Sequence, residues 1–82
     1  MMMRATDDLR AAVFAAKARG RRQYQLARSA GYVHPSQLSH VLIGATRVRP
    51  DDTRARRLCD QLGIDFAVAF QPDSFPGQEN PA

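Results

Sequence analysis

The sequence predicts an all-α fold, a compact bundle of four or five helices followed by a short C-terminal extension. Three observations support this prediction. Apolar residues recur at the helical spacing i, i+3 and i+4 in several separate segments. Residues that favour helix N-termini precede these segments, and glycines follow them. The chain of 82 residues is 44% hydrophobic, which suits one small domain and is too apolar for a disordered chain.

The first helix is expected to begin after Thr6, whose side chain can cap it, and two aspartates follow that complement its positive end. Phe14 lies off the apolar stripe of this helix, so it is free to pack against another element or a partner. Gly20 can end the helix. The inward stripe consists of Leu9, Val13 and Ala16.

Two short helices joined by a tight turn are predicted between Gly20 and Gly44. Helix 2 covers residues 22–30, and Gly31 supplies the positive φ that ends it. Helix 3 covers residues 35–43, where Pro35 suits the first turn because its missing N–H costs nothing there. Small Ala27 allows the two helices to cross closely. The apolar positions are Leu26, Ala27 and Ala30 in helix 2, and Leu38, Val41 and Leu42 in helix 3.

A fourth helix is expected to open at Pro50, Asp51 and Asp52 and to end at Gly63. Its buried face carries Ala55, Leu58, Cys59 and Leu62.

Residues 64–70 are ambiguous. Their apolar side chains alternate as in a strand, but Phe66, Ala67 and Phe70 also fit one helical turn. The predicted domain therefore covers residues 1–70. Residues 71–82 are rich in proline and polar residues and are expected to form a flexible tail.

Basic charge is concentrated in the first 63 residues. They contain all twelve basic residues, eleven of them arginine, and five acidic residues, which gives a net charge of +7. Residues 64–82 contain three acidic residues and no base, a net charge of −3. A focused positive potential favours a polyanionic partner. The alternative is an ordinary solvated surface in an arginine-rich chain, but the helix pair in the same region favours duplex DNA.

Several function classes are unsupported. Cys59 is the only cysteine, and His34 and His40 are too far apart to share a helix face, so we expect no disulfide and no metal site. The chain has no glycine-rich phosphate loop and no convincing pair of catalytic carboxylates, so we expect no enzyme and no cofactor. It has no membrane-spanning apolar run and no signal-peptide pattern. We expect a cytoplasmic, nucleoid-associated protein with no small-molecule ligand.

The segment from Gly20 to Gly44 resembles the lambda-repressor-like, Cro-type (XRE) helix-turn-helix family, and the resemblance extends over residues 9–64. There are two departures from the family pattern. Arg22 stands where the family often has Thr or Ser as the N-cap of helix 2, and Tyr32, Val33 and His34 make the turn about one residue longer. The matching residues are Gly20, Gln23, Leu26, Ala27, Gly31, Ser36, Leu38, Ser39, Val41, Leu42, Gly44, Pro50, Leu58, Leu62 and Gly63.

This resemblance implies that the N-terminal half of helix 3 enters the major groove of DNA, which is wide enough for a helix. The base-reading candidates are Ser36, Gln37 and His40. Gln37 suits a bidentate contact to adenine, whereas His40 can donate to guanine or reach a phosphate. The alternative for each is a solvated polar face.

Phosphate contacts are expected on both flanks of helix 3. Gln23 lies at the start of helix 2, whose free amides form a partial positive site. Arg47 and Arg49 lie in the loop after helix 3, while the arginines of helix 4 are expected to form a solvated face. The phosphate-binding candidates are Arg22, Gln23, Ser39, Arg47 and Arg49.

The sequence therefore predicts a small regulator of transcription that binds specific duplex DNA, more readily a repressor of phage or prophage type than an activator. We expect a homodimer, because one recognition helix reads only a few base pairs. Phe66 and Phe70 are the predicted dimer contacts, and the alternative is that they fold back on their own core. Two rival functions remain: an antitoxin-type protein-interaction module, and a DNA-bending architectural or excision factor.

Overall fold

Five helices and two short strands make up the part of the chain that the computed structural model describes, residues 1–72. The predicted helical bundle is confirmed, and a small two-stranded sheet is added to it. The elements are β1 (Met3–Ala5), α1 (Asp7–Ala18), α2 (Gln23–Ala30), α3 (Pro35–Leu42), α4 (Thr53–Leu62), α5 (Phe66–Ala69) and β2 (Phe70–Pro72).

The helices begin and end within a few residues of the predicted positions, and their caps explain why. The Thr6 hydroxyl accepts the backbone N–H of Leu9 at 3.4 Å, which caps α1 as expected. Asp52 caps α4 by accepting the N–H of Ala55 at 3.0 Å, so this helix starts after Asp52 rather than at Pro50.

The ambiguous segment 64–70 contains both predicted structures in succession. Residues 66–69 form the single turn α5, and Phe70 then begins β2. β2 pairs antiparallel with β1, so that Ala5 lies opposite Phe70 and Met3 opposite Pro72. β1 was not predicted, because three residues are too few for an alternating pattern.

The sheet is attached to the helices by Thr6 and Val48. The Thr6 hydroxyl donates to the carbonyl of Val68 at 2.7 Å, and the Thr6 N–H donates to Ala69 at 2.9 Å. Val48 forms a backbone bridge with Met3 on β1. The loop that follows α3 is therefore connected to the N-terminal strand.

One hydrophobic core lies between the helices, with α2 packed on α3 and α4, and α1 packed on α4 and α5. Cys59 is buried in it, as the sequence predicted, and burial raises the pKa of its thiol to about 11. Leu62 is only half-buried. The largest fully buried side chains are Phe70, Leu9, Leu26, Leu38 and Leu58.

The rings of Phe66 and Phe70 pack against the core of their own chain. Phe70 is only 1% exposed, and Phe66 is half-buried against the same core. The two rings stack with centroids 4.9 Å apart, and the Arg56 guanidinium lies 4.4 Å from the Phe66 centroid. Both rings therefore lie against their own core, as the alternative describes, and Phe70 is almost fully covered by it. The dimer contact expected at Phe66 and Phe70 stays a prediction.

Of the predicted tail, only Gln71 and Pro72 belong to the described residues, and both pair with β1. The rest of the tail lies outside the described residues, so the predicted boundary at residue 70 stays a prediction. Within residues 1–72, no helix is long and apolar enough to cross a membrane.

Candidate nucleic-acid interface

The turn between α2 and α3 consists of residues 31–34 and begins with a left-handed glycine. Gly31 has φ +103°, and its N–H donates to the carbonyls of Ala27 and Arg28. A side chain there would be strained by this φ. It would also come within 3.4 Å of Arg57 and 3.5 Å of Arg54, which project from α4. The end of α2 thus lies against α4, and the chain must turn sharply towards α3.

The two residues after Gly31 have opposite environments. Tyr32 is 5% exposed, whereas Val33 is 76% exposed. The Arg54 guanidinium lies 5.0 Å from the centroid of the Tyr32 ring, a cation–π distance. The extra length of this turn is therefore accommodated by burying Tyr32 and exposing Val33.

The hydroxyl of Tyr32 is buried and has no hydrogen-bond partner within residues 1–72. Burial, together with the negative charge of Asp52, raises the pKa of this phenol to about 12. The side chain is therefore neutral at physiological pH, and its ring packs against Arg54 of α4, which holds the turn against that helix.

Helix α3 packs Leu38, Val41 and Leu42 inward and leaves Ser36 and His40 exposed. Ser36 and His40 are one helical turn apart, so they share the outer face of the helix. Two of the three base-reading candidates therefore lie on one exposed surface.

Gln37 differs from these two, because its side chain is hydrogen-bonded to the backbone of the turn that precedes α3. Its Oε1 accepts the N–H of Val33 at 2.9 Å and the N–H of His34 at 3.3 Å, and the residue is half-buried. These bonds satisfy amides that would otherwise be free at the start of α3. The sequence contained a signal for this role, since His34 and Gln37 have the spacing of a capping box, whereas the prediction for Gln37 was either a base contact or a solvated polar face.

Two of the phosphate-binding candidates contact each other. The Nε2 of Gln23 donates to the hydroxyl of Ser39 at 2.6 Å, which ties the first turn of α2 to the middle of α3. Both side chains are half-buried. Arg22 is exposed just before them, and its backbone N–H donates to the Oε1 of Gln25 at 2.9 Å.

The two arginines after α3 lie in different surroundings. Arg47 is half-buried and lines a cleft of about 190 Å³ together with Gln37, His40 and Arg54. Arg49 is exposed, and its Nε lies 3.4 Å from a carboxylate oxygen of Asp51. The structure therefore brings Arg47 together with two base-reading candidates, and leaves Arg49 apart from them.

Arg54 of α4 is exposed, as was expected of the arginines of this helix, but it also contacts the turn before α3. It covers the Tyr32 ring, lines the same cleft as His40, and lies 3.6 Å from Asp52. No sequence pattern indicates this role, because it depends on how α4 packs against the turn.

Within residues 1–72, no cluster of His, Cys, Asp or Glu side chains could hold a metal ion.

Comparison with known proteins gives one match. A family model described as Helix-turn-helix matches residues 15–68, which is more than half of the chain. The matched part includes α2, the turn, α3 and α4 in full. No curated protein and no solved structure gives a significant match.

Proposed function

Since this chain belongs to the DNA-binding, Cro-type helix-turn-helix family, which is not a catalytic family, we propose that it regulates transcription by reading a specific duplex site with α3. The observation that carries this proposal is the exposed pair Ser36 and His40 on the outer face of α3, with Arg47 beside it. Such a helix fits the major groove, where each base pair presents a distinct set of donors and acceptors.

In this proposal, Ser36, Gln37 and His40 contribute unequally to base recognition. Ser36 and His40 have exposed polar atoms for base edges. Gln37 already uses its Oε1 as a cap, so it reads adenine bidentately only if that oxygen is shared or released. We therefore assign the larger part of the sequence preference to His40 and Ser36.

Phosphate binding positions the helix. The amides at the start of α2, exposed Arg22 and the Gln23–Ser39 pair supply one flank, and Arg47 and Arg49 supply the other. Contacts of this kind set affinity and orientation, but they carry no sequence information.

The mode of regulation that we propose is repression by occupancy, as in small phage or prophage regulators, because a DNA-bound helix-turn-helix domain can itself block access of polymerase to the site. We also propose a homodimer at two half-sites, because two recognition helices multiply specificity. A role on DNA places the protein with the nucleoid in the cytoplasm.

The rival functions receive less support. An antitoxin-type module would use the apolar run at residues 66–70 and the acidic C-terminal segment to cover its partner, but Ala69 and Phe70 of this run are buried in the domain's own core. A DNA-bending factor would shift the mobility of its complex according to where the site lies in a circularly permuted fragment, and we expect no such shift.

The experiment that tests this proposal is selection of duplex sites from random oligonucleotides by the purified protein, followed by binding titrations. We expect one enriched motif, and we expect His40→Ala to lose about 1–3 kcal/mol on it while relaxing one base position. The control is Ser29→Ala, an exposed polar residue of α2 outside the candidate contacts, which should leave the preferred bases unchanged. No enriched motif, or an unchanged motif with His40→Ala, would contradict the assignment.

A further inference from the structure

The outer face of α1 carries three exposed apolar residues. Ala11, Phe14 and Ala18 recur at i, i+3 and i+7, and charged Asp7 and Lys17 lie beside them on the exposed side of the helix. The opposite face carries the buried stripe of the core. Phe14 is 72% exposed, which is unusual for a phenyl ring in the middle of a well-formed helix. We call the exposed residues Ala11, Phe14 and Ala18 the α1 stripe.

The α1 stripe is separate from the proposed DNA interface. Tyr24, Val33 and Ile43 are also exposed, but they lie on α2, in the turn and at the end of α3. None of the proposed DNA-contacting residues lies on α1. An apolar surface that neither the core nor DNA accounts for is typical of a protein-interaction site.

We propose that the α1 stripe is the dimer interface, and that its occupant is the same stripe of a second copy, packed antiparallel about a twofold axis. This inference rests on the proposed function in one respect only: the dimer would bring two copies of α3 to two DNA half-sites. It is an alternative to the dimer contact expected at Phe66 and Phe70.

The register of such a pair follows from the length of α1. When the two helices are centred on each other, Phe14 of each copy lies level with Ala11 of the other, so the twofold axis produces the same contact two times. A large ring thus meets a small side chain, and the helix axes can approach to about 8 Å. The stripe is self-complementary in shape.

The charges at the two ends of α1 complement each other in an antiparallel pair of copies, although Asp7 also pairs with Arg10 of its own helix. The helix begins with Asp7 and Asp8 and ends with Lys17 and Arg19. Antiparallel packing places the acidic first turn of each helix beside the basic end of the other, and it opposes the helix dipoles. Parallel packing would place like charges together at both ends.

The size of the stripe indicates a reversible dimer. A stable interface buries about 800 Å² on each partner, and one face of a 12-residue helix supplies less than that. The free protein should therefore exchange between monomer and dimer, and two adjacent half-sites should favour the dimer.

The first test is sedimentation equilibrium of the free protein, which requires no DNA. We expect a monomer–dimer equilibrium for the unaltered chain, and we expect Phe14→Glu to weaken dimerisation by about tenfold or more, because two desolvated rings are lost. The matched control is Val33→Glu, an equally exposed apolar residue outside the stripe, which should dimerise normally. A strictly monomeric unaltered chain, or a Phe14→Glu variant that dimerises normally, would overturn the proposal.

Circular dichroism checks that Phe14→Glu stays folded, as its exposure leads us to expect. If it does not fold, Ala11→Arg replaces it, because this exposed position lies opposite the partner's ring and should also abolish the dimer. A folded Ala11→Arg variant that dimerises normally overturns the proposal equally.

The second test separates this inference from the proposed function. Phe14→Glu should bind a single selected half-site as the unaltered chain does, but should lose cooperative binding to paired half-sites. Retained cooperativity would overturn the dimer interface and leave the DNA-binding proposal standing. A chain that dimerises through Phe14 but selects no DNA would overturn the proposed function alone.

Discussion

The turn before α3 and the loop after it flank the same helix but are held in different ways. The turn has a left-handed glycine, a buried ring and a side-chain cap, so its backbone is specified by packing. The loop carries exposed Arg49, paired across the surface with Asp51, and it contacts the body through Val48. The turn determines where α3 points, and the loop contributes charge to a partner.

The largest effect should come from removing the ring in the turn. Tyr32→Ala leaves a cavity beneath Arg54, and we expect a loss of about 3–5 kcal/mol in the free energy of unfolding, as for other buried aromatic residues. Urea denaturation measures this. Val33→Ala, one residue along and exposed, is the control and should change stability little. A stable Tyr32→Ala variant would mean that packing does not hold the turn.

A smaller effect should appear only at alkaline pH. The pKa of Tyr32 in the folded chain is raised to about 12 from 10, so its contribution to stability is complete below pH 10 and is lost as the pH rises towards 12. Tyr32→Phe removes this titration. Near pH 12 the free energy of unfolding of the variant should therefore exceed that of the unaltered chain by about 2 kcal/mol, apart from any difference already present at neutral pH.

Melting temperatures from pH 8 to pH 12 provide the comparison. Cys59 titrates in both proteins, so the difference between the curves isolates Tyr32. At neutral pH the variant should be at least as stable, because a buried hydroxyl without a partner is removed. Parallel curves at every pH would show that Tyr32 ionises outside the folded core.

The cap of α3 should contribute less. Gln37→Ala removes the acceptor for the amides of Val33 and His34, so we expect a loss of about 1 kcal/mol in stability. The comparison variant is Gln37→Glu, which keeps an acceptor oxygen and should retain most of that stability. If Gln37→Ala loses DNA selectivity but no stability, the side chain acts on bases rather than on the turn.

A change in the loop after α3 should leave the stability of the domain unaltered. Arg49→Ala removes an exposed ion pair, which contributes little to folding, so the melting temperature should stay the same. Binding to specific and random DNA should weaken alike, and the slope of log K against log salt should fall by about one unit. Loss of specific binding alone would show that Arg49 reads bases.

The same contrast explains how much the sequence could predict. The four longer helices were predictable, because their caps, glycines and apolar spacing are local signals. The position of Tyr32 under Arg54 was not, because it depends on the packing of α4 against a turn that departs from the family pattern. The surroundings of Phe66 and Phe70 were not predictable either, because a large apolar residue indicates burial without indicating which surface will cover it. Phe70 is buried in its own chain, whereas Phe14, which was expected to pack against another element or a partner, is exposed within the described residues.

The pairing of β1 with β2 has a consequence for the order in which the domain assembles. α2, α3 and α4 are neighbours along the chain and can meet after closing short loops, whereas Ala5 and Phe70 must meet across 64 intervening residues. The terminal sheet should therefore form after the helix pair, and it should also open first, since each strand has only three residues. Amide hydrogens of Ala5 and Phe70 should exchange with solvent well before those of Leu26 and Leu58. A protease that trims either end would thus act on a domain whose DNA-reading half is still assembled.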